Sequence, residues 1–277
     1  MKPCYIAQQT SKTRNIMRIV IPSRSRPDSI VTLNYIPQPW RRQVVIVVPQ
    51  QQFHTYEKYN TDVTVMSCPV KTGIAPTRQW IIENFKDKHI FMCDDDAIFA
   101  VRKDPNSTKL TPMEDDVNEQ TKMWTTVEEA FLLGFPWVGI SYRGGNNFYK
   151  TNYEDNTKSF SFWGVDREVL LREGIRFDVT PVMEDFQVIL SLLSRGYENR
   201  VFYKWAWDQE SSNAPGGCSD WRTQDVQAEG ATKLQQLFPD YVKVVYKQPK
   251  IGWYNGAARA DVRIQWKKTA RWNGFLR

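Results

Sequence analysis

The stretch HIFMCDDD at residues 89–96 joins a short apolar run directly to three consecutive carboxylates. The run His89–Cys93 predicts a buried strand, because uninterrupted apolar segments of this length are typical of sheets covered on both faces. Ligands of open α/β sheets bind beyond the carboxyl ends of the strands. Three adjacent carboxylates there repel one another unless a cation lies among them. The stretch therefore predicts an α/β sheet with a cation site at its edge, and an acidic turn in solvent is the alternative.

Similar strand patterns recur along the chain and alternate with helix-length segments, which favours an α/β fold with a mixed, mostly parallel sheet flanked by helices. The clearest helix spans 185–195, where apolar residues recur with a helical period and Gly196 ends the pattern. Residues 102–122 are polar and predict a loop. The other predicted strands are 17–21, 43–49, 62–66, 137–141, 160–165, 199–206 and 241–246, and the other predicted helices are 75–85, 125–133 and 224–238.

The composition excludes several classes of protein. Of the 277 residues, 41% are apolar and 25% are charged, which excludes wholesale disorder. The longest apolar run, 131–140, is interrupted by Gly134 and Pro136 and is too short to cross a bilayer, so no membrane partner is expected. The first residues contain no apolar signal segment. Four cysteines without a C-x-x-C pair indicate reduced thiols, and the chain is expected to be cytoplasmic.

Positive charge is concentrated towards the end of the sequence. The chain carries a net charge of +6, and residues 243–277 hold nine basic residues against one acidic residue. Aromatic residues are interspersed among these cations, a composition typical of nucleic-acid-binding surfaces. We therefore expect a main domain at 1–246 and a basic aromatic extension at 247–277 that contacts a polyanion, unless the extension only packs its rings on the core. The candidate contacts are Lys267, Lys268 and Arg271.

Asp94 and Asp96 are the candidate metal ligands. Residues two apart in extended backbone point to the same side. Carboxylate oxygens completed by water and phosphate suit Mg²⁺ or Mn²⁺, and such a metal would neutralise a nucleotide diphosphate. Asp208 and Asn213, before and within a glycine-rich loop, could each supply a further metal oxygen.

Two segments close to predicted strand ends could bind phosphate. PSRSRP at residues 22–27 follows the first strand, and GIAPTRQ at residues 73–79 combines a glycine turn, a helix start and an arginine. Free amides at a helix start and a guanidinium together form an anion site. An exposed loop and a solvated arginine would explain both segments without a ligand. The candidate donor-binding residues are Pro22, Ser23, Arg24, Arg26, Gly73 and Arg78.

Glu184 and Asp185 begin the predicted helix 185–195. The positive end of a helix stabilises an ionised carboxylate, so this pair could provide a general base for an acceptor hydroxyl. A capping role is the alternative.

An acceptor pocket could be formed by small and aromatic residues elsewhere in the chain. Adjacent glycines in the loop 211–219 would permit close approach of the backbone to a ligand. A surface turn and ordinary core packing are the alternatives for these positions. The candidates are Trp163, Gly164, Gly216 and Gly217.

The order of these motifs resembles the GT-A class of nucleotide-sugar glycosyltransferases. The motifs are PSRSR after the first strand, GIAPTRQ, DDD after a strand, and MED at the start of a helix. With its basic aromatic C-terminal end, the chain resembles the phage TET-associated glycosyltransferases, which modify 5-hydroxymethylpyrimidines in DNA.

The resemblance implies a Rossmann-like GT-A fold, inversion at the anomeric carbon, and Mn²⁺ or Mg²⁺ bound through Asp94 and Asp96. It implies Asp185 as the base, with Glu184 beside it. It also implies a nucleotide-sugar donor, a UDP-sugar above all, held by the arginines named above together with Asp94 and Asp95. The implied acceptor is the hydroxyl of a 5-hydroxymethylpyrimidine in DNA, 5-hydroxymethylcytosine above all, and the implied location is the host cytoplasm.

The sequence departs from the class at one metal ligand. Many GT-A enzymes add a late histidine to the metal, whereas no histidine follows His89 here. Asp208, Asn213 or water would then complete the coordination.

Two other functions fit the same residues. A glycosyltransferase of this fold could act on a polysaccharide or a protein, and its activity would then be indifferent to DNA. A DNA-binding protein without activity would bind DNA but neither metal nor nucleotide sugar. A metal nuclease fits less well, because such enzymes usually gather more carboxylates around two metals.

Overall fold

The computed structural model describes residues 17–71, 73–146, 151–209, 223–248 and 258–271. Its centre is a ten-stranded mixed sheet. The segment Ala97–Val101, which the sequence left unassigned, is also a strand, because a short apolar run has no period that identifies it. The strands are β1 (Met17–Pro22), β2 (Val44–Pro49), β3 (Thr64–Cys68), β4 (His89–Cys93), β5 (Ala97–Val101), β6 (Thr111–Pro112), β7 (Trp137–Tyr142), β8 (Tyr153–Asp155), β9 (Phe162–Asp166) and β10 (Asn199–Gln209).

The strand order is β3-β2-β1-β4-β9-β7-β10-β5-β6, and β8 pairs with β10. The first four of these strands are parallel, with Ile19 of β1 opposite both Val44 and Phe91. β9 runs antiparallel between β4 and β7, whereas β7 and β10 are again parallel. The predicted mixed, mostly parallel sheet is therefore confirmed. Because β1 and β4 are adjacent, the loop after β1 and the acidic turn after β4 emerge side by side.

Both faces of the sheet are covered by apolar side chains. Ile19 contributes to a cluster on one face and Val20 to a cluster on the other, as alternation along a strand requires. Trp124 belongs to the first cluster, and Trp137 and Ile189 belong to the second. Burial on both sides explains why the strands are continuous apolar runs.

Helices and short turns cover these two faces. Thr125 was predicted to begin one of them, but this helix begins eight residues earlier at Val117, with Asp116 accepting the Glu119 amide at 3.1 Å. Its polar first turns hide the helical period. No helix in the described ranges is long and apolar enough to span a bilayer. The helices are α1 (Gln38–Arg41), α2 (Phe53–Tyr59), α3 (Ile74–Asn84), α4 (Val117–Leu132), α5 (Arg143–Asn146), α6 (Arg167–Arg172), α7 (Glu184–Ser194), α8 (Gln224–Leu237) and α9 (Trp266–Arg271), with 3-10 helices at Val31–Tyr35 and Gln50–Gln52.

A second, two-stranded sheet follows α8. It consists of β11 (Val242–Lys247) and β12 (Arg259–Ile264), which pair in antiparallel fashion. The strand β12 was missed because its charged sequence RADVRI lacks an apolar run. The predicted boundary between residues 246 and 247 falls inside β11, and the described part of 247–277 packs with the preceding elements. A separate basic extension is not confirmed.

Candidate active site

The turn that carries the three aspartates is held by Thr32. The Thr32 hydroxyl donates to the carbonyl oxygen of Asp94 at 2.7 Å and accepts from the amide of Ala97 at 3.0 Å. The Thr32 amide donates to the carbonyl oxygen of Asp95 at 3.2 Å. Thr32 is fully buried. These three bonds fix the backbone between β4 and β5 and thereby orient the carboxylates.

Asp95 and Asp96 face the loop after β1, where Arg26 bridges them. Arg26 Nη1 donates to Asp95 Oδ1 at 2.8 Å and to Asp96 Oδ2 at 2.9 Å. Ser23 Oγ donates to the other oxygen of Asp95. Tyr56 of α2 completes the network: its hydroxyl accepts from the Arg26 amide at 2.9 Å and lies 2.8 Å from Ser23 Oγ. The loop and the acidic turn are therefore one network, in which Arg26, predicted as a nucleotide contact, is the counter-ion of two aspartates.

Arg78 joins the acidic turn to α7. Its Nη1 donates to Glu184 Oε1, and its Nη2 lies 3.3 Å from Asp94 Oδ1. Its guanidinium lies over the ring of Trp163, 4.9 Å from the centroid. Arg78 is only 4% exposed, so it too is a buried counter-ion rather than a solvated helix residue. Through Arg78, the DDD motif and the ED motif form a single site.

Asp185 lies next to this ion pair in the first turn of α7. The preceding residue, Met183, has a φ of 64°, a left-handed conformation that turns the chain into the helix. Asp185 is 8% exposed, and its Oδ1 accepts the amide of Phe186 at 2.8 Å. Glu184 accepts from Arg78, and a catalytic role for Glu184 stays a prediction. Asp185 is the candidate base of the pair.

Burial makes the acidic turn costly to ionise. The pKa of Asp94 is raised to about 6, above all by burial; Arg78 opposes this rise and the Asp96 charge adds to it. Burial also raises the pKa of Asp95. Across the described ranges, no three His, Cys, Asp or Glu side chains converge into a complete metal-binding set. Two hard carboxylates fit Mg²⁺ or Mn²⁺ that takes its other ligands from water and from donor phosphates.

The loop after β1 also meets the loop before α3. Arg24 is exposed, and its Nη1 donates to the carbonyl oxygen of Lys71 at 3.2 Å. Gly73 begins α3 with a φ of 97°, a conformation that L side chains rarely adopt. The start of α3 and an exposed guanidinium therefore lie at one end of the sheet, together with Pro22 at the end of β1. The predicted anion site also included Arg26 and Arg78, which are paired with carboxylates, so binding of an anion here stays a prediction.

Two predicted acceptor residues lie in the core instead. Trp163 is fully buried and stacks on both Trp137 and Phe177, with ring centroids 4.4 and 5.0 Å away. A Cβ on Gly164 would lie 2.7 Å from Phe131 and 2.8 Å from Phe91, so this glycine permits core packing. Neither residue can face an acceptor. Trp163 instead supports Arg78 from within the protein.

The candidates for a third metal ligand are only partly described. Asp208 lies on β10 directly opposite Ile98, two residues beyond the acidic turn. Its Oδ2 is 3.9 Å from Arg143 Nε. Asn213, like the predicted acceptor residues Gly216 and Gly217, lies outside the described residues.

The predicted polyanion contacts on α9 have partners within the chain. Lys267 Nζ donates to the carbonyl oxygen of Asp155 and lies 2.9 Å from Glu154 Oε1. Lys268 Nζ lies 3.4 Å from the carbonyl oxygen of Asp240. The side chain of Arg271 lies outside the described residues. A polyanion contact through these three residues stays a prediction.

Two residues of the site were missed by sequence reasoning. Thr32 and Tyr56 lie in short helices without any motif, and they reach the acidic turn and its loop only through the fold. In the sequence, each is only a polar side chain beside apolar neighbours. Many surface residues have the same pattern.

The fold and the site define the class of the protein. A mixed sheet with an acidic turn at the end of β4, facing an acidic pair at the start of a helix, is a GT-A glycosyltransferase arrangement. Among solved structures, glucosyl-3-phosphoglycerate synthase from Mycobacterium tuberculosis, in complex with Mn²⁺, UDP and phosphoglyceric acid, superposes with a TM-score of 0.53. The two are 12% identical, over 90% of this chain and 86% of the other. That likeness shows the fold alone.

A family model, TET-Associated Glycosyltransferase, matches residues 17–217. The chain belongs to this family and is a glycosyltransferase. It is similar to the Beta-glucosyl-HMC-alpha-glucosyl-transferase of Enterobacteria phage T2, with 24% identity over 82% of this chain and 83% of the relative. The protein of the same name from Enterobacteria phage T6 is 23% identical over the same shares of the two chains.

Proposed function

We propose that this glycosyltransferase transfers a sugar from a nucleotide-sugar donor to the hydroxyl of a 5-hydroxymethylpyrimidine in phage DNA, with 5-hydroxymethylcytosine as the first candidate. The observation that carries the proposal is the Arg78 bridge between Asp94 and Glu184. It brings the predicted donor side and the predicted acceptor side together. The names of the T2 and T6 relatives include HMC, the usual abbreviation of hydroxymethylcytosine, and this supports the choice of acceptor.

The donor half of the site is the carboxyl end of β1, β4 and the start of α3. Asp94 and Asp96 would hold Mg²⁺ or Mn²⁺, which when bound would neutralise the diphosphate leaving group. Asp95 keeps Ser23 and Arg26 in place, so it acts through the loop rather than on the donor. Arg24, exposed on the same side, would contact the diphosphate or the nucleotide. A UDP-sugar is the first candidate donor.

The acceptor half is the start of α7. Asp185 would accept the proton of the acceptor hydroxyl while the hydroxyl oxygen forms its bond to the anomeric carbon. The bond from that carbon to the diphosphate breaks, and the electron pair leaves with the diphosphate. Glu184 holds Arg78 and thereby keeps Asp185 next to the acidic turn. Attack from the face opposite the diphosphate inverts the anomeric carbon.

A second candidate acceptor is a glucose already attached to the base. The names of the T2 and T6 relatives, which contain both beta-glucosyl-HMC and alpha-glucosyl, favour it. In that case the hydroxyl deprotonated by Asp185 belongs to a sugar. The same names specify an alpha linkage for those relatives, so the stereochemical course in this chain requires its own measurement.

The test is transfer itself. The purified protein is incubated with Mn²⁺, a panel of nucleotide sugars, and DNA containing cytosine, 5-hydroxymethylcytosine or its glucosylated form, and nucleoside masses are read. A sugar-sized gain only on modified DNA is the expected result, and the anomeric proton coupling of the product distinguishes inversion from retention. Nucleotide release with a polysaccharide or protein acceptor, but none with modified DNA, would contradict the proposal. Absence of metal-dependent nucleotide binding would indicate a DNA-binding protein without activity.

A further inference from the structure

The hairpin of β11 and β12 has one strongly cationic face. Residues directly opposite in an antiparallel pair lie on the same face, as do residues two apart in one strand. Lys243 is paired with Arg263, and Lys247 with Arg259, and both pairs fall on the same side of the hairpin. We call this side the ribbon face; its residues are Lys243, Val245, Lys247, Arg259, Asp261 and Arg263.

The opposite face of the hairpin is anchored to the rest of the protein. Val242 is 1% exposed and Ala260 is 6% exposed, and both pack in one apolar cluster with Ala231 and Leu234 of α8. Gln227 of α8 donates from Nε2 to the carbonyl oxygen of Ala260 at 3.1 Å. Since α8 covers this face, the ribbon face points away from the protein. Lys243, Lys247 and Arg263 are exposed, and Arg259 is half-buried.

The residues of the ribbon face carry more positive than negative charge. Its four cations face one acid, Asp261, which forms an ion pair with Lys247, and the net charge of the face is +3. A single exposed ion pair contributes little binding energy and is easily exchanged for another partner. A compact group of exposed cations on a rigid scaffold favours a polyanion.

The hairpin packs on α8, and α8 packs against the segment that leads into the candidate base. A Cβ on Gly230 of α8 would lie 2.5 Å from the Val182 side chain and 3.1 Å from its carbonyl oxygen. Val182 and Met183, which lead directly into Glu184 and Asp185, belong to the same apolar cluster as Ala260. A macromolecule bound to the hairpin is therefore held by elements that pack against the start of α7.

We propose that the ribbon face binds the duplex that carries the acceptor base, from the side of the major groove. The major groove of B-DNA admits a two-stranded ribbon, and it is the groove into which a substituent at C5 of a pyrimidine projects. The three exposed cations, Lys243, Lys247 and Arg263, contact phosphates on the two sides of the groove and thereby orient the duplex towards Asp185. This inference rests on the proposed function, which supplies the acceptor base in the duplex.

The test compares two charge-matched double variants. Lys243→Gln with Arg263→Gln removes two cations from the ribbon face. Arg42→Gln with Lys109→Gln removes two exposed cations next to strand ends that face away from the acidic turn, before β2 and after β5. The loss of two phosphate contacts lowers the slope of log K against log salt by about 1.8 and weakens duplex binding about 10- to 30-fold at 0.15 M salt. The control variant keeps the wild-type slope, and both variants keep Mn²⁺-dependent UDP binding.

The outcomes separate the two claims. If the wild type transfers sugar to modified DNA and both double variants bind duplex equally well, the ribbon face is not the DNA site, although the proposed function stands. If the wild type transfers no sugar to any modified DNA, the proposed function fails, whatever the ribbon variants do. Displacement of wild-type protein from duplex by the major-groove ligand methyl green supports the groove assignment. Displacement by the minor-groove ligand netropsin alone overturns it.

Discussion

The arginines of the acidic turn and the cations of the hairpin have the same chemistry but opposite surroundings. Arg78 has a side chain only 5% exposed and is bonded to Glu184 and Asp94. Arg263 on the ribbon face is exposed and lies beside Lys243. The first kind of cation holds carboxylates in place, whereas the second is available to an anionic partner. Burial and pairing, rather than residue type, therefore decide which arginine organises a site and which one binds a ligand.

The largest effect is expected at the base. Asp185→Asn removes the group that accepts the acceptor proton, and general-base catalysis contributes about 10²- to 10⁴-fold. Turnover should fall by that factor while Mn²⁺-dependent UDP binding is kept. Asp225→Asn is the control, because Asp225 is an exposed acid in the first turn of another helix, α8. Turnover at the wild-type rate in Asp185→Asn would contradict the assignment of Asp185 as the base.

The contrast between buried and exposed arginines can be measured as a difference in the free energy of unfolding of their variants. Arg78→Met leaves Glu184 buried without its partner, and breaking such a pair costs roughly 3–5 kcal/mol. Arg78→Met combined with Glu184→Gln should recover much of this loss, because the buried Glu184 charge is removed together with its partner and only the partly exposed Asp94 loses an ion pair. Arg263→Met should change the free energy of unfolding by less than about 0.5 kcal/mol.

Urea unfolding of the four proteins checks these values. Equal costs for Arg78→Met and Arg263→Met would mean that the Arg78 pair does not hold the site together.

The metal-binding half of the site is tested by Asp96→Asn. Loss of one of two carboxylates should weaken Mn²⁺-dependent UDP binding about 100-fold, since the metal supplies several kcal/mol of charge stabilisation. Asp240→Asn, an exposed acid after α8, should bind like the wild type. Isothermal calorimetry with and without Mn²⁺ makes the measurement. Metal-independent binding in the wild type would contradict the role of Asp96.

Two glycines test the packing beneath the site and beneath the hairpin. Gly164→Ala forces a Cβ against Phe131 and Phe91, and overpacking costs about 1–3 kcal/mol. Gly230→Ala gains about 1 kcal/mol of helix propensity but meets Val182, so its net loss should be smaller.

Gly145→Ala is the control, since a Cβ there meets nothing within 4 Å. Thermal unfolding should rank the three variants in this order. A stabilised Gly230→Ala would mean that α8 does not pack tightly against Val182.

A pH dependence of stability is also expected in the metal-free protein. Burial raises the pKa of Asp94 from 3.8 to about 6. The folded chain therefore holds a proton that the unfolded chain has released between these values, and the free energy of unfolding falls as pH rises through that window. Asp94→Asn should lack this component when both proteins are unfolded by urea in a chelator. Parallel pH profiles of the two proteins would contradict the raised pKa.

The sheet and the two acidic motifs could be predicted from local sequence. Buried strands such as β2 and β4 are continuous apolar runs, and α7 has a clear helical period ended by Gly196. The DDD motif follows β4 directly, so its position at the edge of the sheet followed from strand order alone.

The counter-ion roles of Arg26 and Arg78 could not be predicted. Each arginine lies close in sequence to a predicted phosphate site, and a cation near such a site indicates an anion contact. The two aspartates that bind Arg26 are 69 and 70 residues away in sequence, and the partners of Arg78 are 16 and 106 residues away. All of them become neighbours only when the sheet forms. The same limit applies to Trp163, since an aromatic residue beside a glycine has the same appearance in a pocket as in a core.

The most direct test of the account is the position of the metal and the nucleotide. Crystals grown with Mn²⁺ and UDP would show manganese by anomalous scattering. The manganese peak is expected within coordination distance of Asp94 or Asp96. The diphosphate is expected between that peak and the start of α7, on the side of Asp185. Manganese or UDP bound away from the acidic turn would contradict the claim that the two acidic motifs form one active site.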